Sequence, residues 1–266
     1  MKKISIIIPS YNSGRFINKC LMSIINQKTY GEFQKEYIVI DNCSTDDTDD
    51  ILNSYYQSNL IYIREKDKGV MDAWNKGLGI ADGDYICFCN TSDYYFDPEW
   101  FCVCIEKMEK NNWISAVYGM TLIIKENGEF QSVGGMRTAD SIKENQSSIS
   151  SFSTFLLQGT TWNECTAILS RKAVDSLLPF DTVDSGATLK AMRQFYKNGY
   201  QSYFLKRIAT VTLIHSDSKT SNQTDDKEMW DKHWLDMSKY RLDLTSNYKY
   251  QYRNNLGEVD RTLGSK

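Results

Sequence analysis

No stretch of this 266-residue chain approaches the run of about 18 apolar residues that a membrane-spanning helix needs, so no spanning segment is expected. The opening Met1-Lys2-Lys3-Ile4-Ser5-Ile6-Ile7-Ile8-Pro9 imitates a signal peptide. Its apolar run is broken by Ser5 and closed by Pro9, too short for the hydrophobic region of one. A basic excess is also missing: 31 Lys+Arg stand against 34 Asp+Glu, for a net charge of −3. That argues against nucleic acid as the partner, because neutralising phosphates requires surplus cations. Neither G-x-G-x-x-G nor G-x-x-x-x-G-K-[ST] occurs, which disfavours a dinucleotide dehydrogenase and a P-loop enzyme. Nor is there a disulfide framework. The seven cysteines are odd in number and not spaced like those of a small secreted domain. Cys87/Cys89 and Cys102/Cys104 make two C-x-C pairs, but zinc sites space their cysteines more widely and no histidine lies nearby. Buried free thiols and a cytoplasmic location are the expectation.

What the chain does contain is an ordinary globular composition, 41% hydrophobic and 24% charged. It is long enough for one large domain or two small ones with a full core. Through the first hundred residues, strand-like and helix-like patterns alternate. Ile4 to Pro9 is a continuous β-branched run, expected to be a strand buried on both faces. Phe16/Ile17, Cys20/Leu21 and Ile24/Ile25 recur at helical spacing, in a helix ending near Gln27. Glu36 to Asp41 predicts a second strand, followed by a helix through Leu52 and Tyr56. Leu60 to Ile63 predicts a third strand and Val70 to Ile80 a helix. Asp84 to Cys89 predicts a fourth strand, with a helix from about Pro98. This alternation predicts an α/β fold, a doubly wound and mostly parallel sheet with helices on both faces.

The second half is less regular. Ala116–Ile124 and Phe130–Val133 predict a hairpin about Asn127-Gly128. Residues 138–151 are polar and loop-like. Thr166–Leu169 and Tyr203–Ile214 predict strands, and Thr188–Asn198 a helix. Trp230, Trp234, Met237, Tyr240 and Leu244 recur every three or four residues, an apolar stripe on a C-terminal helix. Docking on the domain is the simpler reading of that stripe, and peripheral contact with a membrane or partner the second. The expected organisation is a domain over 1–216, with a nucleotide-binding half (1–110) and an acceptor half (111–216), then a helical extension over 217–266.

Ligands of an open parallel sheet bind beyond the carboxyl ends of its strands. Those ends carry Pro9-Ser10-Tyr11-Asn12, Asp41-Asn42, Glu65-Lys66-Asp67-Lys68-Gly69 and Asn90-Thr91-Ser92-Asp93. An aromatic ring, several carboxylates and a lysine suit a nucleoside diphosphate. Each loop alone reads as an ordinary polar turn. In order and spacing, however, Ile6 to Asn12, Ile38 to Asp46, Glu65 to Gly77 and Ala81 to Asp93 together resemble family 2 glycosyltransferases. Beyond residue 110 the resemblance is limited to short pieces such as Tyr196-Lys197-Asn198-Gly199-Tyr200.

The resemblance implies a GT-A fold and an inverting transfer from a nucleotide sugar, UDP- or GDP-linked, to a glycan or lipid-linked acceptor. Bacterial surface-polysaccharide synthesis is the implied setting, at the cytoplasmic face of the membrane. By position, Pro9, Tyr11 and Asn12 would hold the base and Asp41 would accept its N–H. Lys68, Asp72 and Asn75 would face the ribose and phosphates, with Asn90 and Ser92 beside them. Asp93 would bind Mg²⁺ or Mn²⁺, an oxygen-seeking cation that stabilises charge on the departing diphosphate. His215, at a strand end, is a second candidate ligand, although such a histidine is more often structural.

Two departures stand out. Many relatives carry D-x-D where this chain has Asn90-Thr91-Ser92-Asp93, leaving one certain carboxylate. The family's base aspartate, counted back from Gly199-Tyr200, falls at or near Thr188, whose hydroxyl cannot act as a base at neutral pH. Asp184 is the favoured substitute and Glu164 the second. The rival reading is a nucleotide-sugar-binding member without turnover.

Overall fold

The computed structural model describes residues 1–55, 59–134, 149–150, 162–182, 186–216, 252–253 and 259–260. Strand β1 (Lys2–Ser10) lies between two parallel neighbours, β2 (Phe33–Asp41) and β4 (Tyr85–Phe88), and β3 (Leu60–Arg64) extends the sheet beyond β2. Ile4, Ile6, Ile7 and Ile8 are all fully buried, as a strand covered on both faces requires. The even-numbered isoleucines join α1 (Gly14–Ile25), α2 (Thr48–Asn53) and α4 (Trp100–Glu109) in one core, through Ile17, Leu21, Leu52, Phe101 and Cys104.

Helix α3 (Val70–Ile80) covers the other face. Its bounds coincide with those expected from the sequence, because Ala73, Trp74, Gly77 and Leu78 form one apolar stripe. Gly77 lets the helix approach closely: a Cβ there would come within 2.4 Å of Ile7 Cγ2. Gly69, at the helix N-cap, has φ +115°, a backbone that side-chain-bearing residues rarely adopt.

The second half departs from the mostly parallel expectation. The order is β3-β2-β1-β4-β9-β6-β10-β5, with β7 (Phe130–Gly134) on β6 (Ile114–Lys125) and β8 (Ile149–Ser150) on β10 (Gln201–Ile214). The long pair β6–β10 is parallel. The short strands β5 (Asp93–Tyr95) and β9 (Ile168–Ser170) join antiparallel, as three-residue pieces need no crossover helix to enter a sheet. The sheet is therefore mixed. Glu164–Thr166, expected partly as strand, is a 3₁₀ turn leading into β9. Two helices complete this half, α5 (Arg171–Asp175) and α6 (Ala187–Lys197).

By compactness the chain divides into Met1–Gln223 and Thr224–Lys266. In the second unit the described residues pair as strands, β11 (Tyr252–Arg253) with β12 (Val259–Asp260), rather than as the helix expected over 217–266. The apolar stripe from Trp230 to Leu244 lies outside the described residues. Among the described residues no helix is long and apolar enough to cross a membrane.

Candidate active site

The loops after β1 and β2 are tied into one cradle. Asn12 donates its backbone N–H to Ser44 Oγ (2.8 Å), and its Oδ1 accepts from the Thr45 N–H (2.9 Å). The Ser13 N–H reaches Thr48 Oγ1 (2.8 Å), and that of Gly14 reaches Asp46 Oδ2 (3.0 Å). Asn12 and Cys43 both hold positive φ, 47° and 54°, and asparagine tolerates that region better than most residues. Asp41 is fully buried, and its two oxygens accept from the Ser44 N–H (2.8 Å) and hydroxyl (2.5 Å). Its carboxylate therefore shapes the turn as well as bordering the cradle. Pro9 pairs with Ile40 in the sheet, and beside it the buried Ser10 Oγ has no hydrogen-bond partner. The Tyr11 ring stands at the rim, 61% exposed.

The loop after β3 joins the same edge. Asp67 donates its N–H to Asn42 Oδ1 (2.9 Å), and Asp72 accepts from the exposed Lys68's backbone N–H (3.0 Å). Burial raises the Asp67 carboxyl above its ordinary value. Asn75 is placed differently from the expectation that it faces ribose and phosphates. Its Nδ2 donates to the Phe180 carbonyl (2.9 Å), and its Oδ1 accepts from the Phe180 N–H (2.8 Å), so the amide clamps a distant loop.

The third part is acidic. After β4 the chain turns at Asn90, where the Asp93 N–H bonds back to the Asn90 carbonyl (3.0 Å), and β5 crosses to pair with β10. Asp93, 2% exposed, accepts at Oδ2 from Cys165 Sγ (2.6 Å) and Asn90 Nδ2 (3.2 Å). Its buried Oδ1 has no hydrogen-bond partner. Burial raises the Asp93 carboxyl and holds the Cys165 thiol neutral, able to donate. The Ser92 carbonyl accepts from the Leu213 N–H (3.2 Å). His215 lies just past β10 with its ring 4.5 Å from that of Phe16. Among the described residues no group of three or more His, Cys, Asp or Glu side chains is placed to hold a metal by itself.

Glu164 opens the 3₁₀ turn that Asn163 caps by accepting from the Cys165 N–H (2.9 Å). The carboxyl is crowded by protein, although the residue as a whole keeps some exposure. Burial raises its pKa, a hydrogen bond from Thr188 opposes that shift, and the nearby Asp93 charge adds to it. Thr188, the position counted back to from Gly199-Tyr200, therefore lies beside Glu164. Both line a cavity walled by Met71, Trp74, Phe88 and Phe180. Asp184 lies outside the described residues. Cys165, Ser44 and Phe180 were not singled out from the sequence, because their parts come from contacts with residues 72, 3 and 105 positions away.

Comparison with known proteins agrees with this geometry. A poly(ribitol-phosphate) beta-glucosyltransferase of Bacillus spizizenii is 42% identical over 96 residues, 35% of this chain and 15% of that protein. An Escherichia coli chondroitin synthase is 30% identical over 133 residues, 49% of this chain and 19% of the relative. A PGL/p-HBAD biosynthesis glycosyltransferase of Mycobacterium tuberculosis is 32% identical over 126 residues, 46% of this chain and 48% of the relative. The chain thus spans less than half the length of these curated relatives. Among solved structures, S. aureus TarS 1-349 in complex with UDP-GlcNAc superimposes with a TM-score of 0.66 at 20% identity, covering 83% of this chain and 61% of that one. The Pyrobaculum calidifontis mannosyltransferase PcManGT in complex with GDP-Man and Mn2+ gives 0.64 at 14% identity, covering 89% and 64%. The fold is of the GT-A type that these neighbours share. Residues 5–177, which carry the tied loops, the acidic turn and Glu164, match the model for glycosyl transferase family 2, and the chain belongs to that family.

Proposed function

We propose that the chain transfers a sugar from a UDP- or GDP-linked donor to a hydroxyl of a glycan or lipid-linked acceptor, with inversion, in the assembly of a surface polysaccharide. The observation that carries this reading is the placement of Asp93 and Glu164. Glu164 lies close enough to the buried Asp93 for that charge to raise its proton affinity, at the end of the sheet that carries the nucleotide-type loops. The relatives' names, and the nucleotide sugars in the neighbours' structures, support the class of donor.

In this reading the base stacks on Tyr11 and its N–H is accepted at the Asp41 turn. Lys68 and the N-terminus of α3 face the diphosphate, where a helix end favours negative charge. Asp72 holds the Lys68 backbone in place. Asn75 acts at one remove, by fixing Phe180 in the cavity wall. A divalent cation fits the acidic turn because the unpartnered, buried Asp93 Oδ1 is the kind of oxygen that Mg²⁺ or Mn²⁺ satisfies. Asp93 would be its one protein ligand, and a bound cation would neutralise charge on the leaving diphosphate.

Inversion takes a single displacement and therefore one base and no protein nucleophile. Glu164 takes the acceptor's proton, and its raised pKa matches it to that task better than an ordinary surface carboxylate. Thr188 orients the carboxyl by hydrogen bonding to it. The test is diphosphate release from a panel of UDP- and GDP-sugars with Mn²⁺ and oligosaccharide acceptors. Glu164→Gln should lower turnover at least about a hundredfold with donor affinity unchanged. Wild-type-like turnover in that variant would remove Glu164 from the chemistry.

A further inference from the structure

The acidic turn rests on a sulfur. Cys165 Sγ, fully buried, donates to Asp93 Oδ2 and accepts from the Asn90 N–H (3.4 Å) and Nδ2 (3.5 Å). Asn90 Nδ2 also reaches the same Oδ2 (3.2 Å). Both donors thus sit on one oxygen of the Asp93 carboxylate, and Oδ1 is the oxygen without a hydrogen-bond partner. Where many relatives place a further carboxylate, this chain has an amide that binds the sulfur and the remaining acid together.

The thiol is itself held from behind. The Cys165 carbonyl accepts from the Tyr95 hydroxyl (2.8 Å), and its N–H donates to Asn163 Oδ1 (2.9 Å). Next in the chain, the Thr166 carbonyl accepts from Trp100 Nε1–H (2.9 Å). Tyr95 and Trp100 both belong to the buried core. The sulfur is therefore fixed relative to the sheet, and a carboxylate hydrogen-bonded to it cannot rotate without breaking that bond. Partners of this kind orient a metal ligand, and removing one costs about 10–100-fold in metal affinity.

We infer that Cys165 is a positioning residue for the cation: its thiol fixes the Asp93 carboxylate through Oδ2 and so leaves Oδ1 as the oxygen available to a divalent ion. The inference rests on the proposed function, which gives Asp93 that ion to hold. A thiol supplies a donor here without setting a second charge beside the carboxylate. Glu164, the proposed base, precedes Cys165 in the same turn, so the one hydrogen bond also ties the turn of the base to the turn of the cation.

The experiment titrates UDP and GDP by calorimetry, with and without Mn²⁺, into the wild type, Cys165→Ser, Cys165→Ala and Cys165→Val, each below its own Tm. Serine and alanine differ by the donor alone, while valine fills the space of the thiol without donating. In the wild type, Mn²⁺ should tighten binding of one nucleotide at least about tenfold. Cys165→Ser should keep that enhancement to within about threefold. In Cys165→Ala and Cys165→Val it should fall below about threefold, with the cation-free affinity held, a split that loss of packing alone would not produce. Should one apolar variant fail to fold, the other is compared with serine. Wild-type enhancement in either apolar variant would overturn the inference, and so would a serine variant that loses it as fully as alanine. Those results would leave the cation at Asp93 standing, whereas no enhancement in the wild type would overturn the cation and the role of Cys165 together.

Discussion

Asn75 separates two accounts of the loop it belongs to. Family resemblance puts it against ribose and phosphate, whereas the structure spends both ends of its amide on the Phe180 backbone, at 2.9 and 2.8 Å. Asn75→Ala would leave a partly buried N–H and carbonyl unpaired, each costing about 1–1.5 kcal/mol. The sum is about 2–3 kcal/mol, and a unit of this size loses about 2–4 °C in Tm per kcal/mol. A fall of about 4–12 °C in the ligand-free protein is expected by calorimetry or thermal scan. Asn75→Asp keeps the acceptor for the Phe180 N–H but sets an anionic oxygen against its carbonyl, so it should be no better than alanine. Nucleoside diphosphate affinity, measured well below the new Tm, should change less than about threefold. A Tm within 2 °C of wild type, together with a tenfold loss of affinity, would refute the clamp and restore the direct contact.

Asp41→Ala should weaken nucleoside diphosphate binding about tenfold and also destabilise the protein by about 1–3 kcal/mol, since the Ser44 N–H and hydroxyl lose their acceptor; unchanged calorimetric affinity would move the base elsewhere. Glu164 must be ionised to accept a proton, and its pKa is raised, so turnover should climb with pH through a limb above the ordinary glutamate value near 4.3. The stability effect has the opposite sign. A carboxyl that holds its proton more tightly when folded contributes stability at low pH that is lost as pH rises through the raised value. Glu164→Gln removes that loss, so the variant should show a flatter stability profile above about pH 4 and be no less stable at neutral pH; a steeper profile would contradict the assignment.

Much of the first hundred residues was legible because local patterns and tertiary burial agree there. The isoleucines of β1 are buried on both faces, and the stripe on α3 fixes its bounds to the residue. β5 was not legible: Asp93-Tyr94-Tyr95 is a strand only because Thr210 to Thr212 lie opposite it. β9 was legible as a strand over Thr166–Leu169, but its bounds, Ile168–Ser170, are set by Tyr85–Cys87 on one side and Ala116–Val117 on the other. The site divides in the same way. Its loops could be read as motifs, but the partnership of Glu164 with Thr188 joins residues 24 positions apart, and the Cys165–Asp93 hydrogen bond joins residues 72 apart. Neither spacing leaves a periodic trace. Asp184 lies outside the described residues, and Glu164 sits on a turn anchored by the Asn163 cap and by Cys165 in the core.

The central claim is that the strand-end loops and the acidic turn form one cation-assisted site for a nucleoside diphosphate. Its most direct measurement is calorimetric titration of UDP and GDP, with and without Mn²⁺, into the wild type and Asp93→Asn. One of the two nucleotides should bind the wild type at least about tenfold more tightly with Mn²⁺ than without, and Asp93→Asn should abolish that synergy while leaving the cation-free affinity in place. Failure of both nucleotides to bind, or binding indifferent to Mn²⁺ and to Asp93 alike, would contradict the account.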